Sequence, residues 1–428
     1  MKQPRVLIVG AGFGGIELAR KLNKSPFEVL LLDRNNYHMF QPLLYQVATG
    51  GLEPDSVAYP VRRIFRGNKN VKFRMAEVQS VEPEAKRVQT SIGPLEYDYL
   101  VIATGSTNNY FNFEPVKESL LTLKSVTEAL DIRSYLMQSL EKALAGLSRK
   151  GTHQPVNIAI IGGGPAGIEL AGALAEMRRY VLPKDFPEID FEDMKISLFE
   201  AVPRLLAAMS EESSEASQKY LEKMGVQVHL NTRVKEYDGK KLFLEDGSVF
   251  ESSLVIWTAG VKGAPIQGLT EGNMVGGNRI SINAYNQVEP YTNIFAIGDV
   301  SSKQDEENPR GLPMLAQVAI QQGRLTAKNL RLLHEGKALI PFEYNNKGVM
   351  ATIGRNKAVV DLPHFRFQGV FAWFVWMFIH LISLAGFRNK LVTLIDWAQN
   401  YFNYDRPLGL IIRKYQRKPK KKVPEAAG

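Results

Sequence analysis

Arg5-Val6-Leu7-Ile8-Val9-Gly10-Ala11-Gly12-Phe13-Gly14-Gly15 stands near the start of the sequence. Far downstream, Val156-Asn157-Ile158-Ala159-Ile160-Ile161-Gly162-Gly163-Gly164-Pro165-Ala166-Gly167 repeats its grammar. Each is an apolar run of strand length, then closely spaced glycines, then a stretch of helical periodicity that reaches Leu22 in the first case and about Met177 in the second. A second strand follows each and ends in an acid: Glu28-Val29-Leu30-Leu31-Leu32-Asp33 and Lys195-Ile196-Ser197-Leu198-Phe199-Glu200. The second acid comes late because a polar, Pro-containing insert from about Arg178 to Met194 precedes its strand. Further apolar runs at Tyr99–Ala103 and Ser253–Trp257 end in Thr-Gly or Thr-Ala-Gly turns, and Ile294–Ile297 ends in Gly298-Asp299. The order predicts an α/β fold of two Rossmann-like dinucleotide-binding domains, the first interrupted by the second. Residues 1–110 and 285–335 make the first domain and 111–284 the second, leaving 336–428 as a C-terminal region. The length of 428 residues, suited to about three domains, agrees.

A glycine turn of this kind lets the backbone approach a pyrophosphate, which then meets the free N–H groups and positive dipole end of the following helix. One such turn is weak evidence. Two in full strand, turn, helix and acid context point to two dinucleotides in one chain. Asp33 and Glu200 suit the 2′-hydroxyl of an adenosine ribose, and Glu200 disfavours the 2′-phosphate of NADP, so NADH is the expected nicotinamide cofactor. With two such cofactors, the expected arrangement is a relay from NADH to a flavin, FAD, which can pass electrons on singly or in pairs. The first domain is the FAD candidate because Asp299 is placed to bind the ribitol–phosphate arm. Pro313, just beyond, suits the first turn of a helix whose N-terminus can stabilise a reduced flavin. Gln317 and Gln321 share a face of that helix and can hydrogen-bond a carbonyl-bearing acceptor, although glutamines on a helix are most often solvated surface.

Composition narrows the chemistry further. There is no cysteine, which excludes disulfides, thiolate metal sites, iron–sulfur clusters and any mechanism that stores electrons in a dithiol. No secretory signal is read ahead of Arg5, so a cytoplasmic body is expected. The net charge of +9 is uneven: Arg413, Lys414, Arg417, Lys418, Lys420, Lys421 and Lys422 face only Glu425. Such a tail meets anionic lipid or nucleic acid, or stays solvated.

Residues 369–387 read GVFAWFVWMFIHLISLAGF, apolar all round but for His380 and Ser383. Nineteen residues barely span a bilayer as a helix, which needs about 20. The next stretch is amphipathic, with Leu391, Leu394, Ile395, Ala398 and Phe402 aligned. Trp373, Trp376, Trp397, Tyr401 and Tyr404 suit a membrane interface. A true span would carry the basic tail across the membrane, and a buried helix pair is the bland alternative. An in-plane hairpin, monotopic on the cytoplasmic face with the tail on anionic lipid, fits best. His380 reads as a packed or interfacial histidine, and no metal site is expected.

The run Tyr37-His38-Met39-Phe40-Gln41-Pro42-Leu43-Leu44-Tyr45-Gln46-Val47-Ala48-Thr49 resembles the signature of type II NADH:quinone oxidoreductases. So do Ala103-Thr104-Gly105-Ser106, Phe295–Asp299, Ala316-Gln317 with Gln321-Gln322-Gly323, and Met350–Arg355. The resemblance covers residue 5 to about 405. It implies a non-proton-pumping enzyme of the respiratory chain that oxidises NADH, holds FAD non-covalently, and reduces membrane quinone (menaquinone or ubiquinone). It further implies a peripheral homodimer at the lipid bilayer surface, with no nucleic-acid partner. By position it places Gly10, Gly12, Gly15, Asp33, Thr49, Thr104, Asp299, Ala316 and Gln317 at FAD. Gly162, Gly164, Gly167, Glu169 and Glu200 fall at NADH, and Gln317 with Gln321 at the quinone. Glu169 falls where the family has an acid assigned to proton traffic, although a first-turn helix acid also has a purely structural reading. A disulfide or sulfide oxidoreductase would need redox cysteines that the chain lacks. A reductase of a ferredoxin- or rubredoxin-type protein and a membrane-docked NADH sensor stay open as alternatives.

Overall fold

The computed structural model describes residues 3–111, 117–150, 155–269, 271–306, 308–403, 409–411 and 414–416. The basic tail, except Lys414, and Tyr404 lie outside the described residues. The helices that matter below are α1 (Phe13–Lys21), α2 (Leu44–Ala48), α3 (Val126–Lys150), α4 (Pro165–Tyr180), α5 (Ala316–His334), α6 (Val370–Ser383) and α7 (Phe387–Asn403). Among the described residues the chain forms two compact units. The first comprises Met1–Met39, Ala58–Thr107 and Val261–Lys347; the second comprises Phe40–Val57, Asn108–Gly260 and Gly348–Gly428.

The first unit is built on a five-stranded parallel sheet in the order Ile294–Ala296, Tyr99–Ile102, Arg5–Val9, Glu28–Asp33, Val71–Met75. Apart from the edge strand Val71–Met75, where Lys72 and Arg74 are exposed, its strands read as nearly unbroken apolar runs because both faces are covered, so neither parity of the pleat can be polar. Val6, Ile8, Val29 and Leu31 point to the face packed by Ile16 and Leu18 of α1, Leu22 just after it, and Ala327 and Leu330 of α5. Leu7, Val9, Leu32, Leu100 and Ile102 fill the other face.

The second unit repeats the plan with strands Leu121–Thr122, Leu254–Trp257, Ile158–Ile161, Ile196–Phe199 and Val226–His229, again parallel. Here α2 packs on α3 and α4, so residues 40–57 fold with this unit, although in sequence they follow the first strand pair. A three-stranded antiparallel sheet, Val349–Gly354, Lys357–Asp361 and Arg366–Gln368, lies against α4 through its first strand and against α6 through all three. Gly172 permits the closest approach: a Cβ there would stand 2.1 Å from the Ile353 carbonyl oxygen.

The 369–387 stretch is not one helix. α6 ends at Ser383, Leu384 is extended, Gly386 has φ 84°, and α7 begins at Phe387. A 14-residue helix is roughly 21 Å long, short of the roughly 30 Å of a hydrocarbon core. No helix among the described residues is long and apolar enough to cross a membrane. The hairpin nevertheless turns apolar side chains outward. Phe371, Phe374, Phe378 and Ile382 of α6 and Phe387, Leu391, Leu394, Ile395 and Phe402 of α7 are exposed, whereas α7 buries Asn389, Thr393 and Trp397. Its amphipathicity is inverted relative to a helix on a watery surface.

Candidate functional site

In the first unit the glycine turn leaves the strand Arg5–Val9 where the strand order reverses, beside the loop that follows Tyr99–Ile102. A Cβ at Gly10 would lie 2.2 Å from the Ala103 carbonyl oxygen, and one at Gly15 would lie 1.9 Å from that of Gly10. Those two glycines are packing necessities. At Gly12 a Cβ would meet nothing within 4 Å, so the space over the turn stays open for an anion at the start of α1. The Asp33 carboxylate accepts from the Ala11 and Asn35 N–H groups, both at 2.7 Å. Burial pushes its pKa up, and those two hydrogen bonds oppose the rise. The Ala11 carbonyl is held in turn by His38 Nδ1 at 2.9 Å, with burial keeping the imidazole pKa low.

The remaining first-unit candidates are fixed by their neighbours. The Thr104 hydroxyl donates to the Ala264 carbonyl at 2.6 Å, and Ser106 donates to Asp299 at 2.6 Å. Gln322, which the sequence reading passed over, is 1% exposed and accepts the Gly298 N–H at 2.6 Å, bracing the turn that carries Asp299. A signal was present: Val318, Ala319, Gln322, Gly323, Thr326, Ala327, Asn329 and Leu330 form one buried stripe, and Gln322 and Asn329 are the amides within it.

α5 starts at Ala316, not at Pro313. Leu315 is extended and supplies no side-chain cap, so the first N–H groups of the helix are uncapped by a side chain. Gln317 Oε1 accepts the Lys347 N–H at 3.1 Å. Gln321 pairs with Asn345 at both ends of its amide, donating to the carbonyl at 2.9 Å and accepting the N–H at 3.0 Å. Both glutamines therefore hold the segment 345–347 in this structure.

The second unit reproduces the turn. A Cβ at Gly162 would lie 2.5 Å from Ala259 Cα and one at Gly167 1.9 Å from the Gly162 oxygen, whereas Gly164 is open. Glu200 accepts from Gly163 N–H at 2.6 Å and Val202 N–H at 3.0 Å, so this acid too is aimed by the turn it serves. Thr49 belongs to this unit; it is fully buried, and its hydroxyl donates to the Tyr45 carbonyl at 2.9 Å.

Glu169 and Thr49 meet on the wall of a cavity that holds about 660 Å³, its open mouth included. Tyr45, Gln46, Thr352, Arg355, Trp373, Trp376, Trp397, Asn400 and Tyr401 complete most of its lining. Glu169 is 7% exposed, and burial pushes its pKa up to about 8. The Thr352 N–H, at 3.5 Å, and the Trp376 indole pull the other way. The indole Nε1 is itself buried without a well-formed hydrogen bond. Burial thus favours the protonated form of Glu169 at neutral pH, in an aromatic pocket.

The tryptophans expected at a membrane interface turn inward instead. Trp376 stacks on His380 at 4.0 Å, and Trp397 donates to Gln46 Oε1 at 2.7 Å, so the Trp376 ring and the Trp397 indole N–H find partners inside while Phe, Leu and Ile face out. His380 Nδ1 lies 2.7 Å from the Trp376 carbonyl, and burial lowers the imidazole pKa to about 4, leaving it neutral. No group of His, Asp and Glu among the described residues is arranged to hold a metal.

Comparison with known proteins agrees with this geometry. The family model described as pyridine nucleotide-disulphide oxidoreductase matches residues 4–323, and the one described as NDH2 C-terminal domain matches 346–403. The type II NADH:quinone oxidoreductase Ndh of Mycobacterium tuberculosis is 30% identical over 420 residues, covering 95% of this chain and 89% of the relative. The type II NADH:quinone oxidoreductase of Haemophilus influenzae is 31% identical, with 92% and 98% covered. A solved structure of NDH2 from Plasmodium falciparum in complex with NADH shares the fold, with a TM-score of 0.86 at 20% identity over 95% of this chain and 100% of that one. The disulphide chemistry in the broader family's description has no counterpart in a chain without cysteine. The chain belongs to the pyridine nucleotide-disulphide oxidoreductase family and, within it, to the type II NADH:quinone oxidoreductases.

Proposed function

We propose that the protein oxidises NADH and transfers two electrons to a quinone, using FAD and without pumping protons. The observation that carries the reading is the duplicated turn, with an open glycine (Gly12, Gly164) over a helix start and an acid (Asp33, Glu200) aimed by the turn's own N–H groups. These residues fit two dinucleotides. Gly10, Gly12, Gly15, Asp33, Thr104, Asp299, Ala316 and Gln317 would hold FAD, with Thr49 assigned to it by resemblance; Gly162, Gly164, Gly167, Glu169 and Glu200 would hold NADH. FAD, when bound, supplies the means to accept hydride and release electrons to a different acceptor.

The chain's own residues do the rest. Glu200 selects a free ribose 2′-hydroxyl, since a carboxylate repels a 2′-phosphate. The aromatic cavity takes the quinone ring, its rings excluding water and Glu169 holding a proton at its carboxyl oxygen. Gln317 and Gln321 contribute by fixing residues 345–347, and the resemblance assigns both to the quinone.

The outward apolar face of α6 and α7 supports a monotopic seat on the bilayer surface, where quinones dissolve, with the cytoplasmic face as the proposed side. A homodimer and lipid contact by the basic tail are proposed on the resemblance and on charge. Steady-state NADH oxidation tests the reading: it is expected to depend on added quinone, to favour NADH over NADPH, and to lose part of that preference in Glu200→Gln. Equal kcat/KM for the two cofactors would remove the role of Glu200, and NADH oxidation indifferent to quinone would remove the activity.

A further inference from the structure

The first unit buries one charge that the proposed reaction leaves without a role. Of its described Lys, Arg, Asp and Glu residues, Arg279 alone is buried, at 6% exposure. A buried cation costs stability unless it is paired, and an apolar side chain of similar length would fill the place without that penalty. The residue opens the short strand Arg279–Ser281, which pairs in parallel with Ser301–Ser302. Its Nε donates to the Ser301 carbonyl at 2.8 Å, and neither Nη group forms a hydrogen bond with a described residue. A guanidinium has five N–H donors, so bracing this strand pair uses little of its capacity. Gly311 closes over it: a Cβ there would lie 3.2 Å from Arg279 Nη1 and 2.1 Å from Ser302 Oγ, at a φ of 79° that suits glycine.

The acid that this charge acts on is Asp299. The strand pairing sets Ile280 opposite Ser301, and Asp299 stands two residues before Ser301 in the turn Gly298–Val300. Burial lowers the arginine's pKa, and the negative charge of Asp299 opposes that shift. Asp299 also accepts the Ser106 hydroxyl at 2.6 Å, while Gln322 holds the Gly298 N–H. The Asp299 side chain is half-buried, so its carboxylate is braced by the chain and still open to a ligand.

From this placement we infer that Arg279 is the fixed counter-charge of Asp299 and, through it, a positioning residue for FAD. The inference rests on the reading that Asp299 takes the ribitol–phosphate arm of the flavin. That arm brings hydroxyl groups, which a carboxylate accepts more strongly than a neutral group does. It also brings phosphate charge, which repels the same carboxylate. A buried cation in the supporting strand offsets the repulsion, and it does so without occupying the ligand's place. Arg279 touches no reacting atom.

The test uses the full-length, flavin-loaded protein and reads FAD release by the fluorescence of the freed cofactor, not by turnover. Arg279→Gln removes the charge and keeps an amide N–H for the Ser301 carbonyl; Arg279→Lys keeps the charge and loses the planar fork. FAD is expected to bind roughly tenfold more weakly in Arg279→Gln, and within about threefold of the parent in Arg279→Lys. Asp299→Asn should itself loosen FAD. Adding Arg279→Gln to it should then cost less than about threefold more, because a counter-charge has little to act on once the carboxylate is gone. A double variant weakened by the product of the two single effects makes the arginine a mere brace and overturns the inference. Arg279→Lys as loose as Arg279→Gln overturns it too, as does a chain that folds with neither Gln nor Met at this position. If Asp299→Asn holds FAD as tightly as the parent, the assignment of Asp299 to the flavin falls and takes the inference with it. A loosened Asp299→Asn beside an Arg279→Gln of parental affinity overturns the inference alone.

Discussion

Glu169 joins stability to chemistry in one side chain. Its folded pKa is raised to about 8 from an ordinary 4.5, so the folded state keeps a proton that the unfolded chain has already released over that interval. Stability from this group is fullest below about pH 4.5 and is lost as pH rises toward 8, with a ceiling on the order of 5 kcal/mol. Glu169→Gln has no such dependence. In denaturation between pH 5 and pH 8 the variant should gain on the parent steadily as pH rises, and a gap constant with pH would contradict the buried neutral acid. Gln321 makes a different case. Its amide spans both backbone groups of Asn345, so Gln321→Ala should cost about 1–3 kcal/mol for two hydrogen bonds, visible as a lower Tm, along with any rise in KM for quinone. An unchanged Tm with a raised KM would return Gln321 to a purely substrate-binding role.

At the scale of elements, the two strand, turn and helix units were legible because each of their parts has a single physical reading. Strands buried on both faces must be apolar throughout, and a glycine that would collide with a carbonyl at 1.9 Å admits no side chain. The contrast within one turn is testable. Gly167→Ala should destabilise the protein by roughly 3 kcal/mol or more through overpacking. Gly164→Ala should leave stability nearly untouched while raising KM for NADH. Equal effects at the two positions would contradict the open cradle. The C-terminal hairpin was less legible. Periodicity found the stripe Leu391, Leu394, Ile395, Ala398 and Phe402, but a stripe does not say which side meets protein, and here the polar side of α7 is the buried one. The inward turn of Trp397 depends on Gln46, distant in sequence, and that of Trp376 on Tyr45 as well as on its near neighbour His380. The start of α5 at Ala316 was not legible because Leu315, in the N-cap place, is extended and carries no side-chain capping signal. If the outward face is the lipid-binding one, Phe374→Glu with Phe378→Glu should lower vesicle binding tenfold or more, since each apolar side chain withdrawn from lipid forfeits about 1.5–3 kcal/mol. Folding should be unaffected because both side chains are exposed, and undiminished sedimentation with vesicles would reject the assignment.

On the scale of the whole molecule, composition and architecture point the same way. A chain without cysteine has no dithiol to store electrons, and each of its two units carries a turn and an acid suited to a dinucleotide. The family assignment makes the same demand of it: a redox enzyme whose electron carriers are bound. How the late-strand Asp299 and the first-strand turn come into one unit was readable from the order of the runs. That residues 40–57 fold with the other unit was not, because the packing of α2 on α3 and α4 joins segments about 80 and 120 residues apart, and no local pattern encodes it. The most direct measurement is the visible spectrum of the purified protein under anaerobic conditions, followed through two additions. NADH should bleach a bound flavin, and a stoichiometric quinone added next should restore its absorbance. A protein that carries no flavin, or one whose bleached flavin stays reduced in the presence of quinone, would contradict the account.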